Sequence, residues 1–281
     1  MTDRFVIPAM IDSFLRAVSI GKTQIKYEIP IKTPRNHEFF HASDAFKCYR
    51  KRIFQRIGVT PEPPRPTSMR NFAIGDLVEG FIRQAIEWCC AWDPAFLNIN
   101  ATFGRKVEIP EWQTNGTMDL ELQFPDESID IWDIKSCKPG KIDNVKRGEK
   151  DEGYEGQITT YWKNHPDRAK IRNVGLCYIQ KDHWNTHPEW VNPQEVMPKL
   201  QRDYGILLEY WKKYKDKQVV PPERPFQEER IRYPRRTKFE TPGGTGKFPE
   251  WLCSPLYCSM IKNCKKIQGW WNEHPIKGDN Q

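Results

Sequence analysis

The feature that most constrains the fold is a change in hydrophobic period between residues 92 and 102. From Ser68 to Trp92 apolar residues recur at helical spacing, whereas residues 102–109, 116–124 and 128–136 are short β-rich runs separated by turn residues. The apolar face of the helix is formed by Phe72, Leu77, Val78, Phe81, Ile82, Ala85 and Ile86. A long amphipathic helix followed by three strands predicts a mixed α/β domain.

Further elements are predicted on both sides of this centre. Helical patterns cover Ser43–Ile57, residues 153–162 and residues 194–213, and a strand pattern covers residues 173–180. The predicted order is therefore helix, helix, three strands, helix, strand and helix, and no internal repeat interrupts it.

The two ends of the chain differ in composition from its centre. Residues 1–40 are interpreted as an irregular leader, because prolines interrupt short apolar pieces. Beyond residue 215 the chain becomes rich in proline, glycine and basic residues and ends in a Trp- and Cys-rich tail. We therefore expect a core at residues 41–215 and a basic, Pro-rich and Cys-rich C-terminal segment, 216–281, that packs back on the core.

Composition limits the class of protein. The chain has 281 residues, and 44 Lys and Arg against 37 Asp and Glu leave a net charge of +7, which suits a polyanionic partner. Aromatic residues make up 12% of the chain, which argues against disorder. We expect no membrane association, because no stretch reaches the roughly 18–20 apolar residues of a membrane span. The start lacks a secretory signal, so a cytoplasmic location is expected.

The sharpest functional signal is Asp119 followed by Asp133-x-Lys135. If the second and third β-rich runs pair as an antiparallel hairpin, Asp119 faces Asp133 and Lys135 projects to the same side. Two carboxylates at such a short distance repel each other unless a proton or a cation lies between them. A divalent ion such as Mg²⁺ would remove this repulsion. Such a group of residues suits metal-assisted hydrolysis of a phosphodiester. The alternative is a sheet surface on which Lys135 merely pairs with both aspartates.

The neighbouring helices offer further candidate groups. Glu79 could supply a third metal ligand, or it could lie on a solvated helix face and pair with Arg83. Gln157 and Tyr161 are one turn apart on the helix after the hairpin, where they could bind a backbone phosphate or position a water. Tyr161 as an ordinary half-buried aromatic residue is the alternative.

Four motifs together resemble those of the PD-(D/E)XK nucleases, and most closely the RecB-like branch with its CRISPR-associated and phage exonucleases. They are Gly75-x-x-x-Glu79, Gly116-Thr117-Met118-Asp119, Asp133-Ile134-Lys135 and Gln157-x-x-x-Tyr161. The resemblance implies a restriction-endonuclease-like mixed central sheet flanked by helices, and DNA cleavage with Mg²⁺ or Mn²⁺. It further implies a catalytic set of Asp119, Asp133, Lys135, Gln157 and Tyr161, with Glu79, Asp119 and Asp133 as metal ligands. Glu79 stands where that branch usually has His.

The tail carries three clustered cysteines, Cys253, Cys258 and Cys264, and Cys48 is the best candidate for a fourth ligand. Four thiolates can hold either zinc or an iron–sulfur cluster. One early cysteine and three late ones resemble the iron–sulfur staple of the RecB-like exonucleases, which implies a 4Fe–4S cluster that clasps the N- and C-terminal segments. The first two tail cysteines are farther apart than is common in that family, so a structural zinc stays open.

Two basic stretches, residues 47–56 and 230–238, are candidates for DNA binding, because Lys and Arg side chains neutralise phosphates. The candidate DNA-binding residues are Lys47, Arg50, Lys51, Arg52, Arg235 and Arg236. Tyr233 and Phe239 could stack on unpaired bases. The alternative for both stretches is a solvated charged surface.

Together with these features, the resemblance implies a divalent-metal-dependent DNA exonuclease with a structural 4Fe–4S cluster, acting in DNA recombination, repair or replication. The DNA could be single-stranded, and a helicase or recombination protein could be a partner. A viral member would act in the cytoplasm of its host. Two alternatives stay open: a non-catalytic DNA-binding scaffold on a nuclease fold, and the same nuclease with zinc in place of iron.

Overall fold

The computed structural model describes residues 6–26, 38–61, 63–64, 66–215, 239–241, 244–246 and 260. They belong to two compact units, one of residues up to 46 and from 66 to 204, the other of residues 47–65 and from 205 onward. The helices are α1 (Val6–Ser19), α2 (Tyr49–Arg56), α3 (Pro66–Trp92), α4 (Lys141–Lys146), α5 (Glu152–Lys163) and α6 (Pro193–Tyr214). The strands are β1 (Phe40–His41), β2 (Asn100–Ile109), β3 (Thr114–Gln123), β4 (Ile129–Cys137), β5 (Ile171–Gln180), β6 (Thr186–Trp190), β7 (Phe239–Thr241) and β8 (Gly244–Gly246).

A mixed sheet of six strands forms the centre of the first unit. Its order is β1-β3-β4-β5-β6, and β2 pairs along β3. The strands β2, β3 and β4 are antiparallel neighbours, β4 and β5 run parallel, and β6 returns antiparallel to β5. The middle strand β4 is buried from Ile129 through Asp133, as its apolar residues on both faces predict. The predicted mixed α/β architecture, with a central sheet and flanking helices, is confirmed.

The main apolar core joins the sheet to α1 and α3. It contains Ile7, Met10 and Phe14 from α1, Ile82 and Ile86 from α3, and Leu120, Leu122, Trp132 and Cys177 from the strands. The ring of Phe14 meets that of Phe81 edge to face, with 5.7 Å between their centroids. Within the described residues no helix is both long and apolar enough to cross a bilayer.

The interpretation of residues 1–40 as an irregular leader is wrong for the part that forms α1. Its buried residues Ile7, Met10, Phe14 and Ala17 recur every three or four positions, so one face of the helix packs into the core. Pro8 suggested a break, but it lies in the first helical turn, where the backbone N–H has no partner within the helix and proline is tolerated.

The helix predicted from Ser43 begins later than expected. A short 3₁₀ turn covers Ala42–Asp44, Phe46 adopts a positive φ of 59°, and α2 starts only at Tyr49. A bulky residue in the left-handed region ends any helix there. The ring of Phe46 lies against Gly156 of α5, where an added Cβ would come within 2.7 Å of it.

The second unit contains α2 and the C-terminal end of α6. Its small apolar cluster includes Phe54 and Met260, and the ring of Tyr49 stacks on that of Tyr210 with 6.1 Å between centroids. Arg56 places its guanidinium 4.1 Å from the centre of the Trp211 ring. Most of the predicted C-terminal segment, 216–281, lies outside the described residues, and so does the predicted clasp of the chain ends.

Candidate active site

The candidate active site lies where β3 and β4 separate. The two strands pair in the register predicted from the sequence, from Leu120 opposite Trp132 to Gln123 opposite Ile129. Beyond Leu120 this ladder stops: β3 continues along β2, and β4 continues along β5. Asp119 and Asp133 are the first residues past the last pair, so both carboxylates stand at the fork between the strands.

The carboxylate of Asp119 bridges the fork. Its Oδ2 accepts a hydrogen bond of 2.8 Å from the backbone N–H of Ile134. A backbone N–H that is shielded from water needs a partner, and β3 no longer pairs with β4 at this point. Asp119 therefore satisfies the backbone of β4 and is held beside Asp133 by the same bond.

Asp133 and Lys135 form a buried ion pair. The side chain of Asp133 is fully buried, and its Oδ2 lies 2.6 Å from Nζ of Lys135. Burial raises the pKa of Asp133 well above its ordinary value; Lys135 acts in the opposite direction, and the nearby Asp119 adds to the rise. The site therefore favours a second positive charge near the two carboxylates.

Lys135 is held as an ammonium. Burial by itself would lower its pKa, but the charges of Asp133 and Asp119 outweigh that effect and raise it. Its Nζ donates a 3.0 Å hydrogen bond to Oε1 of Gln157 and lies 4.7 Å from the centre of the Tyr154 ring. Each of these contacts favours the charged form, the second through the negative face of the ring.

Gln157 and Tyr161 stand behind Lys135. Nε2 of Gln157 donates to the hydroxyl of Tyr161 at 3.0 Å, and the two side chains are buried, with 7% and 2% of their surface exposed. Gln157 contacts the ammonium of Lys135, and Tyr161 contacts Gln157. That the two side chains bind a phosphate or position a water stays a prediction.

Gly116 makes room for this arrangement. A Cβ at this position of β3 would lie 2.7 Å from Cε1 of Tyr161 and 3.0 Å from its hydroxyl. Only glycine lets the tyrosine ring approach the strand this closely. The glycine of the Gly116-Thr117-Met118-Asp119 motif thus has a physical role that its sequence context does not reveal.

Two observations fit a divalent cation between the aspartates. Both side-chain oxygens of Asp133 are buried; Oδ2 is paired with the Lys135 ammonium, and Oδ1 has no hydrogen-bond partner among the described residues. One ammonium faces two carboxylates, and carboxylate oxygens are the ligands that Mg²⁺ prefers. In the described part of the chain no three His, Cys, Asp or Glu side chains are grouped to hold a metal, so Glu79, half-buried on α3, does not complete a set of three.

The predicted DNA-binding residues have different surroundings. Lys47 is exposed and Lys51 is half-buried, whereas Arg50 and Arg52 have only 2% of their surface exposed. The expectation of a DNA-facing surface is therefore wrong for these two arginines. The prediction assumed that only the apolar residues of α2 are buried, whereas the helix is buried on most sides and its arginines are buried with them. Arg235 and Arg236 lie outside the described residues.

Of the four predicted cluster ligands, the structure describes one. Cys48 is half-buried and directly precedes α2. Cys253, Cys258 and Cys264 lie outside the described residues.

Sequence reasoning missed Tyr154 as a contributor to the site. Its ring covers Lys135, and burial raises the pKa of its hydroxyl. The available signal was spacing: Tyr154, Gln157 and Tyr161 recur at helical intervals and share one face of α5.

Two solved structures of exonucleases are similar to this chain at low sequence identity. No protein-family model matches the sequence, and no curated protein matches it. An alkaline exonuclease from Laribacter hongkongensis is 14% identical, with a TM-score of 0.39, over 65% of this chain and 95% of that one. An exonuclease candidate from Eubacterium rectale is 14% identical, with a TM-score of 0.43, over 78% of this chain and 96% of that one. Similarity at this level establishes no common ancestry or activity, so function has to be inferred from the residues at the fork.

Proposed function

We propose that the chain is a divalent-metal-dependent DNA nuclease of the PD-(D/E)XK type that acts as an exonuclease. The observation that carries the proposal is the convergence of Asp119, Asp133 and Lys135 where β3 and β4 separate. A pair of carboxylates that attracts a cation, next to a fixed ammonium, is what hydrolysis of a phosphodiester requires. The net charge of +7 and the order of the four motifs support DNA as the substrate.

Asp119 and Asp133 would hold the Mg²⁺ or Mn²⁺ ion, which when bound polarises a phosphoryl oxygen and lowers the pKa of a water. Lys135, whose Nζ lies 2.6 Å from Oδ2 of Asp133, supplies a fixed positive charge that stabilises negative charge developing on the phosphoryl oxygens. Gln157 restricts the ammonium to that position, and Tyr161 restricts Gln157.

The test is degradation of end-labelled single- and double-stranded DNA with Mn²⁺. Asp119→Asn keeps an acceptor for the N–H of Ile134 but removes the charge, and Lys135→Gln keeps a long polar side chain but removes the ammonium. We expect each to lower the rate by about 10²–10³-fold, as removal of one transition-state stabilising group does. Asp143→Asn and Lys146→Gln alter exposed residues of α4 and should leave the rate unchanged.

Several outcomes would count against this chemistry. Cleavage that survives in both Asp119→Asn and Lys135→Gln would remove these residues from the mechanism. DNA binding without cleavage in the unaltered protein would favour the non-catalytic scaffold. Shortening from the labelled end identifies an exonuclease, whereas internal fragments identify an endonuclease.

We further propose that Cys48, Cys253, Cys258 and Cys264 hold a structural 4Fe–4S cluster, because one early cysteine and three clustered late ones resemble the iron–sulfur staple of the RecB-like exonucleases. Anaerobically purified protein should be brown, with absorbance near ~400 nm, and should contain iron. Cys48→Ser should lose the colour, and Cys90→Ser on α3 should keep it. Protein that contains zinc and no iron would show that these cysteines hold a zinc ion and not an iron–sulfur cluster.

A further inference from the structure

The N-terminal part of α3 is exposed on all sides, although its sequence predicts a buried apolar face. From Met69 to Ile74 every residue is exposed, and Phe72 and Met69 have 59% and 56% of their surface accessible. The buried part of the helix begins at Val78. A large aromatic side chain left in solvent for more than half its surface suggests a binding surface.

This exposed segment lies beside the catalytic strand. Gly75 approaches β4 so closely that an added Cβ would lie 3.1 Å from Oγ of Ser136, the residue after Lys135. Phe72 precedes Gly75 by three residues, which places it on the same face of α3 and about 4.5 Å along the helix axis. Phe72 therefore lies near the end of β4 that carries Lys135, on the side of the sheet toward which Ser136 projects.

Two lysines add positive charge at the same place. Lys138 follows the end of β4, and Lys181 follows the end of β5 and donates a 2.7 Å hydrogen bond from Nζ to the carbonyl of Asn71. Burial and the charge of Lys138 lower the pKa of Lys181, while Cys137 and Asp76 act in the opposite direction. An anion bound to both ammonium groups would reduce the repulsion between them.

We propose that Phe72, Lys138 and Lys181 form a binding platform for single-stranded DNA next to the fork. The lysines contact the phosphates, and the ring of Phe72 stacks on an unpaired base. An exposed ring beside basic groups suits this occupant, because every base offers a face for stacking and the backbone supplies the phosphates. The proposal rests on the nuclease function proposed above for its choice of substrate.

The platform can be tested by binding alone, in chelator, where no cleavage occurs. The probe is a short fluorescein-labelled oligothymidine, followed by fluorescence anisotropy. Phe72→Ala should raise the Kd by about fivefold to a hundredfold, as removal of the stacking partner of one base does. Trp92→Ala is the matched control, because Trp92 is 71% exposed at the other end of the same helix; its Kd should stay within about twofold of the unaltered protein.

The lysines are tested by the salt dependence of binding. In the double variant Lys138→Gln, Lys181→Gln, the slope of log K against log salt should flatten by about 0.7 for each phosphate of a single strand that a lysine no longer neutralises. Lys146→Gln should not change the slope. Blunt duplex DNA offers no unpaired base to the ring, so Phe72→Ala should change its Kd little.

Three results would overturn the platform. The first is a Kd for Phe72→Ala that equals that of the unaltered protein. The second is a rise in Kd for Trp92→Ala as large as that for Phe72→Ala. The third is an unchanged Kd together with a lowered melting temperature for Phe72→Ala, which would show that another part of this chain covers the ring. Protein that binds through Phe72 but degrades no DNA with Mn²⁺ would refute the nuclease and leave the platform intact, so the two failures are distinguishable.

Discussion

Burial raises the pKa of Glu155, as it raises that of Asp133 at the fork. Glu155 is 6% exposed on α5, two residues before Gln157, and its carboxylate lies 3.6 Å from the ammonium of Lys150. Burial raises its pKa, and Lys150 offsets only part of the rise. The charged form therefore destabilises the folded protein.

The sign of the pH dependence follows from this shift. The folded protein holds the Glu155 proton more tightly than the unfolded chain, so the free energy of unfolding falls as pH rises from about 4.3 through the raised pKa. Glu155→Gln should be more stable than the unaltered protein at neutral pH, and the difference should disappear below about pH 4. Urea unfolding across this range measures it.

Glu149→Gln, an exposed neighbour, serves as the control and should show no such trend. A Glu155→Gln variant that is less stable at neutral pH would show that the contact with Lys150 outweighs the cost of burial.

At the level of elements, the close contact of β3 with α5 determines where the ammonium of Lys135 lies. Gly116→Ala would push the Tyr161 ring away from β3 and break its hydrogen bond with Gln157. We expect stability to fall by about 1–3 kcal/mol and the cleavage rate by up to about 10²-fold, because overpacking strains the contact and a small displacement misplaces the catalytic group.

Tyr161→Phe separates these two effects. It keeps the ring against Gly116 and removes the hydroxyl that accepts from Gln157, so the rate should fall with little change in melting temperature. Equal rates for Tyr161→Phe and the unaltered protein would mean that Tyr161 only fills space.

The elements also show what the sequence could and could not predict. The register of β3 and β4 followed from alternation of side chains across a short turn, and it is confirmed. The α1 helix was missed because its proline was interpreted as a break, and no strand was predicted for β6, which contains Pro188. The fit of Gly116 to Tyr161 depends on packing between distant segments, for which no local pattern exists.

For the molecule as a whole, ion binding should be measurable as stability. A ligand that binds only the folded state adds about 2.7 kcal/mol at a hundred times its Kd. Mn²⁺ should therefore raise the melting temperature of the unaltered protein, and this shift should be absent in Asp119→Asn. Asp143→Asn should keep it.

This measurement needs no DNA and no turnover. An equal shift in the unaltered protein and in Asp119→Asn would mean that Mn²⁺ binds elsewhere on the chain.

The turn between β3 and β4 has a consequence for which changes in chain length the protein can tolerate. It is closed by the backbone bond from Phe124 N–H to the Ser128 carbonyl and by Glu127 at a positive φ of 63°. Surface turns usually accept insertions and deletions. An inserted residue that shifted the pairing register by one position would turn Asp133 to the opposite side of the sheet while Asp119 stayed in place. The sheet would then still fold but would no longer bring Asp119 and Asp133 together. The length of this loop therefore sets the distance between the two carboxylates on which the proposed chemistry depends.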